Sequence, residues 1–352
     1  MNISQIDKNF QLKSKIEKDD ICWVNANSQP FVIKGVFYDG GRYKRMDSEV
    51  ARSVSDGVNY LHTHTSGGRV LFETDSSYVA ISTKGHSDHM PHMPYTGSKG
   101  FDLYIFENNE FTYYRSFIPA TEQCDEYENI VEFGDRRSRK ILIHFPLYGN
   151  VDELNIGLQN DAFVDSFDPY KKGELAVYYG SSITQGGCAS RPGNNFPAIV
   201  SRKTMTDFRC LGFSGNAHGE DTMIEYLANQ KMSLFVMDYD HNDLYEPEKL
   251  AVRHPKLYNA VREKHPDMPV IIMSAPWSKC IEQAKEKSRS VVYATYEKAK
   301  KNGDNVYFAD GFEFFGREYA DSATVDGCHP NDFGFVKMAD ALLKIIKDNN
   351  LM

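Results

Sequence analysis

Leu175-Ala176-Val177-Tyr178-Tyr179-Gly180-Ser181-Ser182-Ile183-Thr184-Gln185-Gly186-Gly187 is the stretch on which the reading of the fold turns. Its first five residues carry no charge and form a continuous apolar run, as expected of a strand covered on both faces. The run stops at Gly180, and a Gly/Ser turn follows where a helix would begin. Leu234-Phe235-Val236-Met237, Val270-Ile271-Ile272-Met273 and Val306-Tyr307-Phe308-Ala309 repeat the form. Helical stretches lie between the runs, for example Glu248 to Lys264 and Ile281 to Lys301. A last helix, about 332 to 348, places Phe335, Met338, Ala339, Leu342 and Ile346 on one stripe. Strands alternating with helices predict a parallel sheet with helices on both faces. Ligands in such sheets bind at the carboxyl ends of strands.

Residues 1–168 read differently. Short runs such as Phe31–Phe37, Arg69–Thr74, Tyr78–Ser82, Phe101–Phe106, Phe111–Arg115 and Lys140–Phe145 recur, and several alternate apolar and polar residues. Gly40-Gly41, Ser66-Gly67-Gly68 and Asn108-Asn109 punctuate them. A two-sheet sandwich of jelly-roll type is the expected solution. The chain therefore divides into a β-sandwich accessory domain, 1–168, and an α/β domain, 169–352. A length of 352 residues suits two domains.

Composition removes several classes of function. The net charge is -9, with no basic stripe, so nucleic acid is not an expected partner. No apolar stretch approaches the roughly 18 residues of a membrane span. The start, Met1-Asn2-Ile3-Ser4-Gln5-Ile6-Asp7-Lys8, lacks the basic and apolar regions of a signal peptide. The six cysteines are scattered without a CxxC pair, so free thiols in the cytoplasm are expected. The oligomeric state is left open.

The strand ends carry the chemistry. Ser182 sits where a hydroxyl is exposed at the sheet's carboxyl edge, beside free N–H groups of a helix N-terminus. That suits an acyl-transfer nucleophile, and equally a phosphate-binding turn or a plain loop. In Val325-Asp326-Gly327-Cys328-His329-Pro330, a carboxylate three residues before a histidine can fold back onto the ring. The plainer alternative is a helix cap and a surface histidine. Gly215, in Leu211-Gly212-Phe213-Ser214-Gly215-Asn216-Ala217, can present a backbone N–H. Asn242, in Asp238-Tyr239-Asp240-His241-Asn242-Asp243, can present an amide. With the N–H of Ser182 they would make an oxyanion hole; each is alternatively a turn residue.

The order of these four pieces resembles the SGNH (GDSL-like) hydrolases, whose named residues fall on Ser182, Gly215, Asn242 and His329. Gly100-Phe101-Asp102-Leu103-Tyr104 resembles the GxDLY signature of a β-domain found ahead of certain SGNH esterases. The resemblance implies a flavodoxin-like three-layer α/β fold and a serine esterase. Ser182 would be its nucleophile, His329 its base and Asp326 the orienting carboxylate. Ser182, Gly215 and Asn242 would form the oxyanion hole, and no metal or organic cofactor is implied. Two-domain relatives include carbohydrate acetyl esterases, so an acetylated carbohydrate is the expected substrate. The alternatives are an esterase or thioesterase for lipids or short acyl groups, and a carbohydrate-binding protein without catalysis. Two departures stand out. Ser181 replaces the Asp of Gly-Asp-Ser-x-Thr, and Asp240 replaces the Gly of Gly-x-Asn-Asp.

Four residues are candidates for substrate binding. Trp277 follows a strand end and can stack on a sugar. His241 neighbours Asn242, and Arg191 follows the nucleophile turn. His92 belongs to a histidine-rich set, His62-Thr63-His64 and His86-Ser87-Asp88-His89-Met90-Pro91-His92. Its spacings can ligate zinc, but no matching carboxylate pattern follows. Loop polar residues, or a loop folded over the cleft, are the other readings.

Overall fold

The computed structural model describes residues 6, 16–88, 90–121 and 124–352. His89 of the histidine-rich set lies outside them. The first half is built from β1 (Ile21–Asn25), β2 (Val32–Lys34), β3 (Phe37–Asp39), β4 (Arg42–Lys44), β5 (Arg69–Thr74) and β6 (Tyr78–Lys84). It continues with β7 (Phe101–Glu107), β8 (Glu110–Phe117), β9 (Glu126–Glu132), β10 (Arg139–His144), β11 (Glu153–Gln159) and β12 (Val164–Asp165). One sheet runs β1-β11-β6-β9 and the other β12-β5-β10-β7-β8, with β2 also on β5. Setting aside the short β2–β4 and β12 leaves eight strands, whose chain order reads 1-8-3-6 in one sheet and 2-7-4-5 in the other. That is the double Greek key of a jelly roll.

Alternation along the strands makes the sandwich core. Val70, Phe72, Leu103, Ile105, Ile141 and Ile143 meet Val79, Ile81, Ile156 and Leu158 between the sheets. The opposite face of the β5-β10-β7 sheet is covered too, where Leu71, Leu142 and Tyr104 pack with Phe167 and Tyr170. The run Phe31–Phe37 is two strands rather than one, because the chain turns at Gly35. There φ is +73°, and a Cβ would lie 2.0 Å from the Gly67 carbonyl oxygen.

The second half is a parallel sheet of β13 (Leu175–Gly180), β14 (Asp207–Gly212), β15 (Leu234–Asp238), β16 (Val270–Met273) and β17 (Val306–Ala309). The spatial order is β14-β13-β15-β16-β17, the 2-1-3-4-5 arrangement of flavodoxin-like folds. Its apolar runs are covered on both faces, as expected. Val177, Tyr179, Phe235, Met237, Val270 and Ile272 face helices Pro247–Lys264 and Glu282–Lys301. Ala176, Tyr178, Val236, Ile271 and Met273 face Phe196–Thr204 and Asp332–Asp348. No helix among the described residues is long and apolar enough to cross a membrane.

The two halves interlock more than the sequence suggested. Two helices, Ser48–Val54 and Asp56–Leu61, interrupt the otherwise β-rich first half. Asp47 and Ser55 cap them, and their Ala51, Val58 and Leu61 join the core around Val177 and Phe213. β14 is an edge strand, and buried arginines of the first half take up its outward carbonyls. Arg69 donates to Phe208 O at 2.7 Å, and Arg45 to Cys210 O at 3.2 Å and Gly212 O at 2.5 Å. Covering an edge in this way removes a template for aberrant strand pairing.

Candidate active site

β13 has β14 on one side and β15 on the other, so the sheet's order reverses at its carboxyl end, where open α/β sheets hold their ligands. The chain leaves β13 through a tight turn. A Cβ on Gly180 would lie 2.0 Å from Thr184 Oγ1 and 2.5 Å from Asp238 O, so only glycine fits there. Ser181 caps the helix Ser182–Gln185, its hydroxyl accepting from Ile183 N at 3.2 Å. An aspartate at this position would cap equally well, which accounts for the first departure from the family pattern. The second has a structural reason as well. Asp240 is buried and accepts from Ala275 N and Ser288 Oγ, both at 3.0 Å, tying the loop after β15 to its neighbours.

Ser182, 5% exposed, places its hydroxyl 2.8 Å from His329 Nε2. His329 Nδ1 lies 2.7 Å from Asp326 Oδ2. The other oxygen of Asp326 accepts from Cys328 N at 2.9 Å and His329 N at 2.7 Å, so the carboxylate shapes its loop as well as aiming the ring. Burial opposes the charge on Asp326, but the His329 backbone and ring hold it down to about 2. Burial likewise presses the His329 value down, and the Cys328 sulfur and Asp326 carboxylate outweigh it, so the ring sits above the ordinary histidine range. The three side chains singled out in the sequence, 147 residues apart at their widest, therefore meet. Such a relay can pass a proton from hydroxyl to imidazole and stabilise the resulting cation.

Beside the nucleophile turn, at the end of β14, lies the loop Phe213–Ala217, whose Phe213 N donates to Gly180 O at 2.8 Å. Gly215 has φ +65°, and no atom lies within 4 Å of where its Cβ would be, so backbone conformation rather than space calls for glycine. Among the described residues no acceptor takes the N–H of Ser182 or of Gly215, which leaves both free to bind an oxyanion. Asn242 differs from its expected part. Its Nδ2 donates to Phe213 O and Ala217 O, each at 3.2 Å, so its amide hydrogens shape the Gly215 loop. Gln185 pins the same loop by accepting from Ser214 N at 3.0 Å.

The substrate-binding candidates separate. His92 reaches the site, its ring 5.7 Å from that of His329. Trp277 stands beside the Asp326 loop. It lines a cavity of about 410 Å³ together with Lys279, Arg317, Thr324, Val325 and Gly327. Its Nε1 donates to Glu282 at 2.7 Å.

His241 does not face a substrate. Its Nε2 lies 2.8 Å from Cys328 Sγ, and its other nitrogen is buried, so it braces the His329 loop from beneath. Burial holds it down to about 3, hence neutral.

Arg191, expected to bind substrate, is held by the first half of the chain instead. It is bound to Asp102 Oδ2 at 3.1 Å and to the Tyr104 hydroxyl, with its guanidinium 3.8 Å from the Tyr113 ring centroid. This explains the GxDLY signature physically. Phe101 and Leu103 point into the sandwich core, while Asp102 and Tyr104, on the other face of β7, grip Arg191 and the Gly193 N–H. Arg191→Ala would leave the wholly buried Asp102 carboxylate without its ion-pair partner, keeping only the Gly193 N–H bond. A loss of about 3 kcal/mol of unfolding free energy is expected in urea titrations. A loss below about 1 kcal/mol would mean that water satisfies Asp102 in its place.

Among the described residues, the remaining histidines form no separate cluster compact enough to share an ion. His64 is buried against Gln185 Nε2 at 3.2 Å, and His62 lies 3.0 Å from Ser48 Oγ. Among the described residues, the two groups compact enough to share an ion both draw on His329. One adds His92 and Cys188, the other Asp326 and Cys328. Two further residues at the site went unassigned in the sequence reading. His218 and Asp243 are buried or half-buried beside Gly215, 2.7 Å apart. Both lie in or next to segments already quoted for Gly215 and Asn242, but nothing in their spacing signals that they pair.

Comparison with known proteins bears on this arrangement. Residues 173–347 match the GDSL-like Lipase/Acylhydrolase family. Residues 21–164 match the GxDLY family, described as the "N-terminus of Esterase_SGNH_hydro-type". A Bacteroides ovatus protein described as a GDSL-like lipase superposes with a TM-score of 0.84 at 29% identity, over 93% of this chain and 97% of that one. The salicylyl-acyltransferase SsfX3 from a tetracycline biosynthetic pathway gives 0.77 at 18% identity, over 96% of this chain and 99% of its own. A family two carbohydrate esterase from Clostridium thermocellum, in complex with cellohexaose, gives 0.62 at 15% identity, over 92% and 100%. No curated protein matches the chain.

Proposed function

We propose, from the premise that this chain belongs to the GDSL-like lipase/acylhydrolase family, that it is a serine esterase removing acetyl groups from carbohydrate hydroxyls. One observation carries the esterase reading: the continuous contact from the Ser182 hydroxyl through the His329 ring to the Asp326 carboxylate, 2.8 and 2.7 Å long. Ser182 Oγ attacks the ester carbonyl while His329 Nε2 takes its proton. The tetrahedral oxyanion is met by the unengaged N–H groups of Ser182 and Gly215. The imidazolium, stabilised by Asp326, then protonates the departing sugar oxygen. Water repeats the cycle on the acyl-enzyme and releases acetate.

Two features support the carbohydrate part of the reading. Trp277 lines a cavity of about 410 Å³ beside the Asp326 loop, and an indole face suits the apolar side of a sugar ring. The fold is also that of carbohydrate esterases, one of them solved with cellohexaose. The test is acetate release from acetylated mannan, acetylated xylan and simple sugar acetates, run beside 4-nitrophenyl acetate and octanoate. Release from at least one sugar acetate, and acetate ester cleaved at least about ten times faster than octanoate, is expected. Preference for octanoate with no release from any sugar acetate would overturn the carbohydrate reading in favour of a lipid or acyl esterase.

A further inference from the structure

His218 lies beside the Gly215 loop and touches it through one ring nitrogen. Its Nδ1 is 2.7 Å from Asp243 Oδ1 and its Nε2 is 3.1 Å from Gly215 O. A carboxylate and a backbone carbonyl are both acceptors. A neutral imidazole has one N–H and one lone pair, so it satisfies one of these contacts and sets a lone pair against the other. Both contacts are hydrogen bonds only when both nitrogens carry protons.

We infer that His218 is a positioning residue, an imidazolium clamped between Asp243 and the Gly215 carbonyl, which holds the oxyanion-binding backbone in its left-handed conformation. This rests on the esterase reading for its consequence, though not for its geometry. Gly215 has φ +65° and no Cβ to restrict it, so nothing in its own covalent structure selects the working conformation. Among the described residues three side chains from outside it do so: Asn242 on the Phe213 and Ala217 carbonyls, Gln185 on the Ser214 N–H, and His218 on the Gly215 carbonyl. Of these three side chains only His218 titrates. Rising pH removes its Nε2 proton, since Nδ1–H is retained by the carboxylate. A lone pair then faces Gly215 O, and the loop loses that restraint.

The surroundings favour the charged ring. Asp243, fully buried in the loop after β15, raises it through their hydrogen bond; partial burial opposes this, and Glu220, two residues beyond His218 on the loop after β14, adds to it. Lys249, on helix Pro247–Lys264, works against it from 3.4 Å beyond Asp243. Arg253 of that helix donates to the His218 carbonyl at 3.2 Å, and the Tyr179 hydroxyl of β13 takes the Gly219 N–H at 3.0 Å, so the backbone on either side of the ring is fixed as well.

The test uses the full chain and two variants. Glutamine places an Nε2 donor near where the His218 Nε2–H stands and does not titrate. His218→Ala is expected to lower kcat on the order of 10- to 100-fold, with KM changed less than about two-fold. His218→Gln is expected to recover most of that loss. The quotient of kcat/KM for His218→Gln over wild type should climb as pH rises from about 7 to 10. The His329 limb is common to both proteins and cancels in the quotient. Nitrogen-15 imidazole spectra of the wild-type protein near pH 7 should show both His218 nitrogens protonated. A flat quotient, or a single-proton tautomer of His218 at that pH, would overturn the inference. The spectrum needs no turnover, so it decides the protonation state even if Ser182→Ala keeps full activity and the esterase reading falls.

Discussion

Ser182→Ala is expected to lower kcat for 4-nitrophenyl acetate by roughly five to six orders of magnitude while the protein stays folded. Among the described residues the serine hydroxyl has one partner, the His329 ring at 2.8 Å. Removing it forbids the acyl-enzyme and leaves only what the Ser182 and Gly215 N–H groups do for direct attack by water. The fold has little stake in that oxygen. The Tyr148 hydroxyl donates to the Ser182 carbonyl rather than to its side chain, and the turn is made by Gly180 and the Ser181 cap. Thermal unfolding should therefore move by no more than about 1 kcal/mol equivalent. Activity within ten-fold of wild type in a folded Ser182→Ala protein would mean that another group is the nucleophile.

Asp326→Asn is expected to cost about four orders of magnitude in kcat, the second largest effect. Asparagine keeps an oxygen for the Cys328 and His329 N–H groups, which Asp326 Oδ1 now holds at 2.9 and 2.7 Å, so the loop should persist. Its amide nitrogen then faces His329 Nδ1. That nitrogen is forced to accept, the ring takes the other tautomer, and Nε2 points a proton at Ser182 where a lone pair is needed. The Asp326 carboxylate also favours the imidazolium formed in the reaction, and the variant lacks that charge. Because the groups act as one unit, Ser182→Ala/Asp326→Asn should be no slower than Ser182→Ala alone. A further hundred-fold loss in the double variant would show that Asp326 acts independently of the serine.

The parts of the fold that could be read from the sequence are those whose burial pattern is uniform. Leu175–Tyr179 and Val270–Met273 are apolar throughout because helices cover both faces of the parallel sheet, and the final helix shows its stripe because one face alone is buried. The helices Ser48–Val54 and Asp56–Leu61 were hidden. They are short, their caps are ordinary polar residues, and what stabilises them is contact with the distant Val177 and Phe213. At the site, residues in local motifs were legible: Ser182 in its turn, Asp326 and His329 three apart, Gly215 by its backbone freedom. Residues defined by partners elsewhere were not. Arg191 resembles a cleft residue by its position after the nucleophile turn, yet its charge is claimed by Asp102, 89 residues earlier. His241 sits next to Asn242 in sequence but bonds under the loop to Cys328. The direction of the Asn242 amide and the pairing of His218 with Asp243 depend on how two loops close on each other, which no spacing along the chain encodes.

Mass spectrometry of the protein after treatment with a serine-directed organophosphonate tests the central claim most directly. One phosphonyl group per chain, located on the peptide carrying Ser182 and absent from Ser182→Ala, is the predicted result. No adduct on folded wild-type protein, or an adduct on a residue other than Ser182 that accompanies loss of activity, would contradict it.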